Sequence, residues 1–173
     1  DDGTGTKFTN ANPTGTTPAT DATGLDDDRT LSVNSIDVNE GDGNNYAVFT
    51  VGANAGQTLT LGLTDAGTNA TATSGADYTN VLEYWNPSAN LGAGAWSSYT
   101  PDFEVPGTAN TTVSLLVRIK ISSDDTFERA EDFTLTATYT SGKTGRTASG
   151  VATIHDDGTG TKFTNANPTG TTP

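Results

Sequence analysis

The acidic residues of this chain gather in five short stretches. They are LDDDR at 25–29, SIDVNEGDG at 35–43, SGADYT at 74–79, SSDDTFERAED at 122–132 and HDDG at 155–158. Carboxylates brought together in this way call for a cation, since like charges 4 Å apart repel by about 1 kcal/mol in water and by several in a lower dielectric. A ligand set made only of oxygens, with six to eight donors at roughly 2.3–2.6 Å and backbone carbonyls joining in, describes Ca²⁺. Zn²⁺ would want cysteine or histidine, and the chain has no Cys and one histidine, His155. Mg²⁺ keeps more water and takes fewer carboxylates. A solvated acidic surface is the other reading of any single Asp here; the clustering of many favours an ion.

Two further chemistries are open to these residue types. Paired carboxylates serve as acid and base in glycosidases, but these acids lie in turn motifs, and His155 beside Asp156 has no nucleophile partner in the sequence, so no catalytic set is expected. Tyr84, Trp85, Trp96 and Tyr99 flank a Gly/Asn-rich loop at 86–95. Aromatic platforms hold sugars, which makes a carbohydrate-binding module the rival function; the same rings could instead pack across neighbouring strands of a hairpin. Asn69 and Asn110 open glycosylation sequons, as a threonine-rich chain does by chance.

The elements that must position the acids have a period of two. Val113, Leu115, Val117, Ile119 and Ile121 alternate without a break. So do Phe133, Leu135, Ala137 and Tyr139, then Leu59, Leu61 and Leu63, then Ala47, Phe49 and Val51, then Gly150, Ala152 and Ile154. Leu31 and Val33 share one phase while Ile36 and Val38 share the other, which predicts a bulge near Asn34 and Ser35. Further strands are expected at 81–85, 96–100 and 103–105. Seven to nine strands joined by Gly/Asn/Asp/Ser turns predict an all-β fold, an antiparallel Ig-like β-sandwich. Strand 113–121 runs into the acidic loop 122–132, strand 133–139 leaves it, and an antiparallel 150–154 returns Asp156 and Asp157 to the same end. A first strand parallel to the last would deliver Glu40 there too. Glu40, Asp77, Asp124, Glu128, Glu131, Asp156 and Asp157 are thus expected at one pole.

Composition bounds the partners. The chain has 173 residues, 32% of them hydrophobic, and carries 21 acidic against 8 basic side chains for a net charge of −13. Phosphate recognition needs clustered cations, so nucleic acid and anionic membranes are poor partners. No run of 18 apolar residues is present to span a bilayer. Threonine makes up about a fifth of the chain, the expected choice for wet β surface. Residues 1–18 and 156–173 are the same eighteen letters, DDGTGTKFTNANPTGTTP. Chance does not produce this, and the 155-residue offset is far longer than a solenoid repeat. The sequence therefore reads as one period of a tandem array with an overlap. Residues 1–24 are a Thr/Gly/Asn/Pro-rich linker, 25–158 a sandwich, and 159–173 the start of the next linker, poorly ordered unless a neighbour or an ion holds it.

The segments VNEGDG, SGADYT, DDTFERAEDFTL and ATIHDD resemble the Calx-beta module. LDDDRTLSVNSIDVNE, EDFTLTAT and DDGTGTKF are similar to extender repeats of giant bacterial repeats-in-toxin (RTX) adhesins, over roughly residues 25–163. The resemblance implies a Calx-beta-like sandwich and calcium held by Glu40, Asp77, Asp124, Glu128, Glu131, Asp156 and Asp157, with the Thr126 carbonyl joining. Ser123 and Gly158 depart from the pattern, standing where such modules often carry Asp, and 85–96 is an extra loop. Asp26, Asp27 and Asp28 precede the first core strand, at the opposite pole. In an array they face the previous unit's terminal pair, represented here by Asp1 and Asp2, so calcium is expected to bridge units there. A simple turn with Arg29 paired to it is the alternative. The expected function is a calcium-rigidified spacer that projects the binding domains of a bacterial surface adhesin. It would be secreted, anchored to the outer membrane through other parts of the chain, monomeric in isolation and flanked by identical repeats.

Overall fold

The computed structural model describes residues 30–41, 45–109, 111–140 and 146–160. Among them eleven strand segments follow in chain order: β1 (Ser32–Val33), β2 (Ile36–Asn39), β3 (Asn45–Asn54), β4 (Thr58–Thr64), β5 (Ala70–Thr71), β6 (Tyr78–Asn86), β7 (Ala95–Ser98), β8 (Phe103–Glu104), β9 (Thr112–Ile121), β10 (Glu131–Tyr139) and β11 (Thr147–His155). Eight have four residues or more, within the expected seven to nine, and the three extra segments are two residues each. One sheet has the order β1-β3-β9-β6-β7 and the other β2-β11-β10-β4-β8, with β5 added beside β10. The protein is an all-β sandwich, antiparallel except where β2 pairs with β11 and β5 with β10. No described helix is long and apolar enough to cross a membrane.

The alternating residues fill the space between the sheets, as a half-buried strand requires. Ala47, Phe49, Val51, Val117, Ile119, Ile121, Phe133, Leu135 and Ala137 are completely buried. Tyr78 stacks on Phe133 at 4.3 Å between centroids, and Phe49 meets Phe133 edge-on at 6.1 Å. Most outward positions of β10 and β4 are threonines, among them Thr134, Thr136, Thr60 and Thr64.

The phase slip after Val33 turns out to be a change of sheet rather than a simple bulge. β1 pairs with β3 in one sheet, while β2 pairs with β11 in the other. The chain crosses between them at Asn34 and Ser35. Thr50 N–H donates to Asn34 Oδ1 at 2.6 Å, and Val151 N–H donates to Ser35 Oγ at 3.1 Å. The crossover passes directly over Gly150 on β11, where a Cβ would overlap the Asn34 carbonyl. Gly150→Ala is therefore expected to displace this crossover and destabilise the fold by about 1–3 kcal/mol, the usual cost of overpacking. Its checks are a lowered urea midpoint and faster hydrogen exchange at Val151.

The strands define two poles. Glu131 begins β10 at one end and Tyr139 closes it at the other, where the Tyr139 hydroxyl donates to the Thr30 carbonyl at 2.6 Å. Thr30 N–H also donates to Asn54 Oδ1, at the far end of β3. The described chain thus enters at the pole of Asn54 and Tyr139. It leaves at the opposite one, where Asn39 Nδ2 donates to the Thr159 carbonyl at 2.8 Å and Gly160 lies against the backbone of Val38 and Asn39.

Candidate metal centre

Four separate stretches of chain meet at the exit pole. β2 runs into it and ends at Glu40, whose N–H donates to the His155 carbonyl at 2.9 Å, continuing the pairing with β11. The turn before β6 carries Asp77, the loop 122–130 between β9 and β10 carries Asp124 and Glu128, and β10 opens on Glu131. β11 ends at His155, one residue before Asp156. The parallel pairing of β2 with β11 puts the two strand ends side by side, which is what brings Glu40 to Asp156.

Carboxylate oxygens of Asp77, Glu128 and Glu131 lie within 4.8 Å of one another, all half-buried. Around this triad backbone N–H groups hold the other acids in place. Asp124 N–H donates to Glu40 Oε1 at 2.9 Å, and Glu128 N–H to Asp156 Oδ2 at 2.9 Å. Thr73 N–H donates to Asp77 Oδ2 at 2.6 Å, and Thr126 N–H to Asp124 Oδ1 at 2.6 Å. Each of these contacts engages one carboxylate oxygen of the pair.

The electrostatics register the crowding. Burial first, and then Asp77 and Glu128 beside it, push the Glu131 carboxyl up to about 7. Glu40 is raised by burial and by Asp156, Asp124 and Glu128, although the Asp124 N–H opposes the shift. Glu128 is raised by desolvation and by Asp77, Asp124 and Asp156. Acidic neighbours dominate these causes, and the triad itself offers only carboxylate oxygens. That donor set fits a hard divalent cation, and Asp77, Glu128 and Glu131 are the residues that could hold one, with Glu40, Asp124 and Asp156 next to them.

Asp157 and Thr126 lie at the same pole, beside Asp156 and Asp124. Asp157 is exposed and turns to Thr159, whose N–H donates to its Oδ1 at 2.9 Å; with the Thr159 hydroxyl this holds the carboxyl below its ordinary value. Thr126 is exposed and contributes its N–H to Asp124. Asp1, Asp2, Asp26, Asp27 and Asp28 lie outside the described residues. His155 Nε2 sits 3.2 Å from Asp37 Oδ1, at the edge of the pole.

The four aromatic residues that would make up the rival sugar platform separate into two pairs. Tyr84 and Tyr99 turn inward onto Phe103, at 4.7 and 5.7 Å between ring centroids, and Leu61 N–H donates to the Tyr99 hydroxyl. Trp85 and Trp96 are direct cross-strand partners on the outer face and meet edge-on at 5.6 Å. Arg118 lies over Trp96 and Tyr46 at 4.4 and 4.2 Å and pairs with Glu83 at 2.7 Å. Gly94, at φ +80°, lets the Trp85 ring lie against the hairpin backbone. These rings serve strand packing.

One acid in the sequence clusters has a role that spacing did not reveal. Asp132, assigned by pattern to the acidic loop, is the second residue of β10 and completely buried. Thr68 N–H, Asn69 N–H, Asn69 Nδ2 and the Thr153 hydroxyl all donate to it, at 2.6 to 3.0 Å. Gly67, which has no room for a Cβ against Asp132, was the one available signal of this close approach. Tyr78 similarly donates its hydroxyl to Asp65.

No protein-family model matches this chain, and a search of the curated proteins finds no match.

Proposed function

We propose that the protein is a calcium-binding spacer unit of a tandem array. It resembles the Calx-beta-like extender repeats of bacterial RTX adhesins, working outside the cell to carry adhesive domains away from its surface. The observation that carries this reading is the convergence of Glu40, Asp77, Asp124, Glu128, Glu131 and Asp156 at the pole where the chain leaves. Two further facts support it. Entry at Thr30 and exit at Gly160 lie at opposite ends of the sandwich, so copies joined through them extend rather than fold back. The eighteen-residue identity between 1–18 and 156–173 supplies the copies. Without the ion the acidic poles repel. With it, each unit is held stiff at extracellular calcium concentrations, where such modules typically bind at roughly 10⁻⁴–10⁻³ M.

Isothermal titration of calcium into this chain, and into two tandem copies, tests the proposal. Binding in that range is expected for the single unit, with additional ions at each junction between Asp1/Asp2-type and Asp26/Asp27/Asp28-type carboxylates. No heat from the single unit, in a buffer where it is folded, would sink the reading. A tandem count of only twice the single count would remove the bridging ion alone.

A further inference from the structure

We propose that β2 and β11 form a mechanical clamp: pulled through its ends, the unit is loaded along these two strands in shear, and its rupture requires their pairing to fail as a group. β2 is the first strand of its sheet in sequence and β11 the last, and they are adjacent and parallel. The chain enters before β2 at the pole of Asn54 and Tyr139 and leaves after β11 at the pole of Glu40. Tension therefore pulls β2 toward one pole and β11 toward the other. The force crosses directly from one strand to its neighbour, and β3 to β10 lie off this path until the pair gives way. Only β1 precedes it, with two register pairs to β3.

Four register pairs span the clamp, Ala152 with Ile36, Thr153 with Asp37, Ile154 with Val38 and His155 with Asn39. Both ends carry extra bonds. At the entry end Val151 N–H donates to Ser35 Oγ; at the exit end Glu40 N–H donates to the His155 carbonyl and Asn39 Nδ2 to the Thr159 carbonyl. Val38, Ala152 and Ile154 anchor the inner side of the pair in the core. In shear all these bonds share the load, whereas in the opposite geometry they open one at a time. That the clamp bears load in an array rests on the spacer reading; that it exists follows from the topology.

The test is force spectroscopy on the full chain, which has no native cysteine to interfere. Handles on residues 1 and 173 load the clamp in shear. Handles on residue 1 and on a Thr147→Cys variant unzip it, because Thr147 is exposed and begins β11 at the entry pole. At equal force the end-to-end geometry is expected to survive about tenfold longer or more, the effect of two hydrogen bonds breaking together rather than in turn. Equal or shorter survival overturns the clamp. Repeating the end-to-end pull in calcium and in EDTA separates the two ideas. A calcium effect with equal geometries leaves the metal pole standing and removes the clamp; a geometry effect indifferent to calcium does the reverse.

Discussion

Replacing Asp132 with alanine is expected to destabilise the fold by about 3 kcal/mol, because five donors lose a shared buried acceptor and each unsatisfied buried group costs on the order of 1–3 kcal/mol before water relieves part of it. The donors are Thr68 N–H and its hydroxyl, Asn69 N–H, Asn69 Nδ2 and the Thr153 hydroxyl. For a domain of this size the loss corresponds to a fall of roughly 10 °C in melting temperature. Asp132→Asn keeps the shape but turns a donor toward other donors, so it should fall between wild type and alanine. Thr153→Val, which removes one donor, should cost only about 1 kcal/mol. The pH dependence has a definite sign. Burial raises the Asp132 carboxyl, but the bonds from Asn69, Thr153 and Thr68 outweigh it and hold the group below its ordinary value. A carboxylate lowered on folding contributes stability above its unfolded value, and the contribution is lost as pH falls through the folded one. The gap between wild type and Asp132→Ala in denaturant titrations should therefore narrow below about pH 4. A gap that stays constant down to pH 2 would mean that the variant acts by packing alone.

The effect should reach the acidic pole. The same loop that closes over Asp132 continues through Ala72, whose N–H donates to the Asp132 carbonyl, into the turn that carries Asp77. Asp65 in that segment receives the Tyr78 hydroxyl, and Tyr78 stacks on Phe133 next to Asp132 in sequence. One buried carboxylate thus braces the element that presents another at the acidic pole.

Strand phase was legible because apolar residues recur at every second position so regularly that one face of each long strand could only be the core. Val113 to Ile121 and Phe133 to Tyr139 reappear as β9 and β10 with boundaries moved by a residue or two. The convergence of Glu40 with Asp156 was legible for a topological reason, the parallel pairing of first and last strands. What pattern could not supply was the meaning of a departure from it. The slip at Asn34 and Ser35 looks the same whether a strand bulges or changes sheet; the pairing of β1 with β3 and of β2 with β11 decides. Asp132 occupies an outward position of β10, where exposure is the default, and it is buried because a loop some 65 residues away in sequence folds over it. Trp85 and Tyr84 sit side by side in sequence and point to opposite faces, so a cluster of rings in the sequence is not a cluster in space.

Calcium should raise the melting temperature of the unit, and by an amount that grows with pH. At a hundredfold excess over the dissociation constant one site adds about 2.7 kcal/mol, or roughly 10 °C here. In EDTA the acid-base sign runs the other way. Glu131, raised to about 7, binds a proton in the folded chain at a pH where the unfolded chain has lost it. That stability is present in mild acid and disappears as pH rises through 7; Glu40 and Glu128, also raised, add in the same direction. The apo chain should therefore melt higher near pH 5.5 than near pH 8. Calcium competes with the same proton, so its stabilisation should be larger at pH 8 than at pH 5.5. Glu131→Gln provides the decisive contrast. It removes a repelling charge and a ligand together, so it should raise the melting temperature at pH 8 in EDTA and blunt the calcium response. A solvated acidic surface predicts no such inversion: Glu131→Gln would be near neutral in EDTA, and magnesium at matched ionic strength would do what calcium does. Differential scanning calorimetry of both proteins at the two pH values, with calcium, magnesium or chelator, separates these outcomes, and equal shifts with the two metals would remove the ion from the pole.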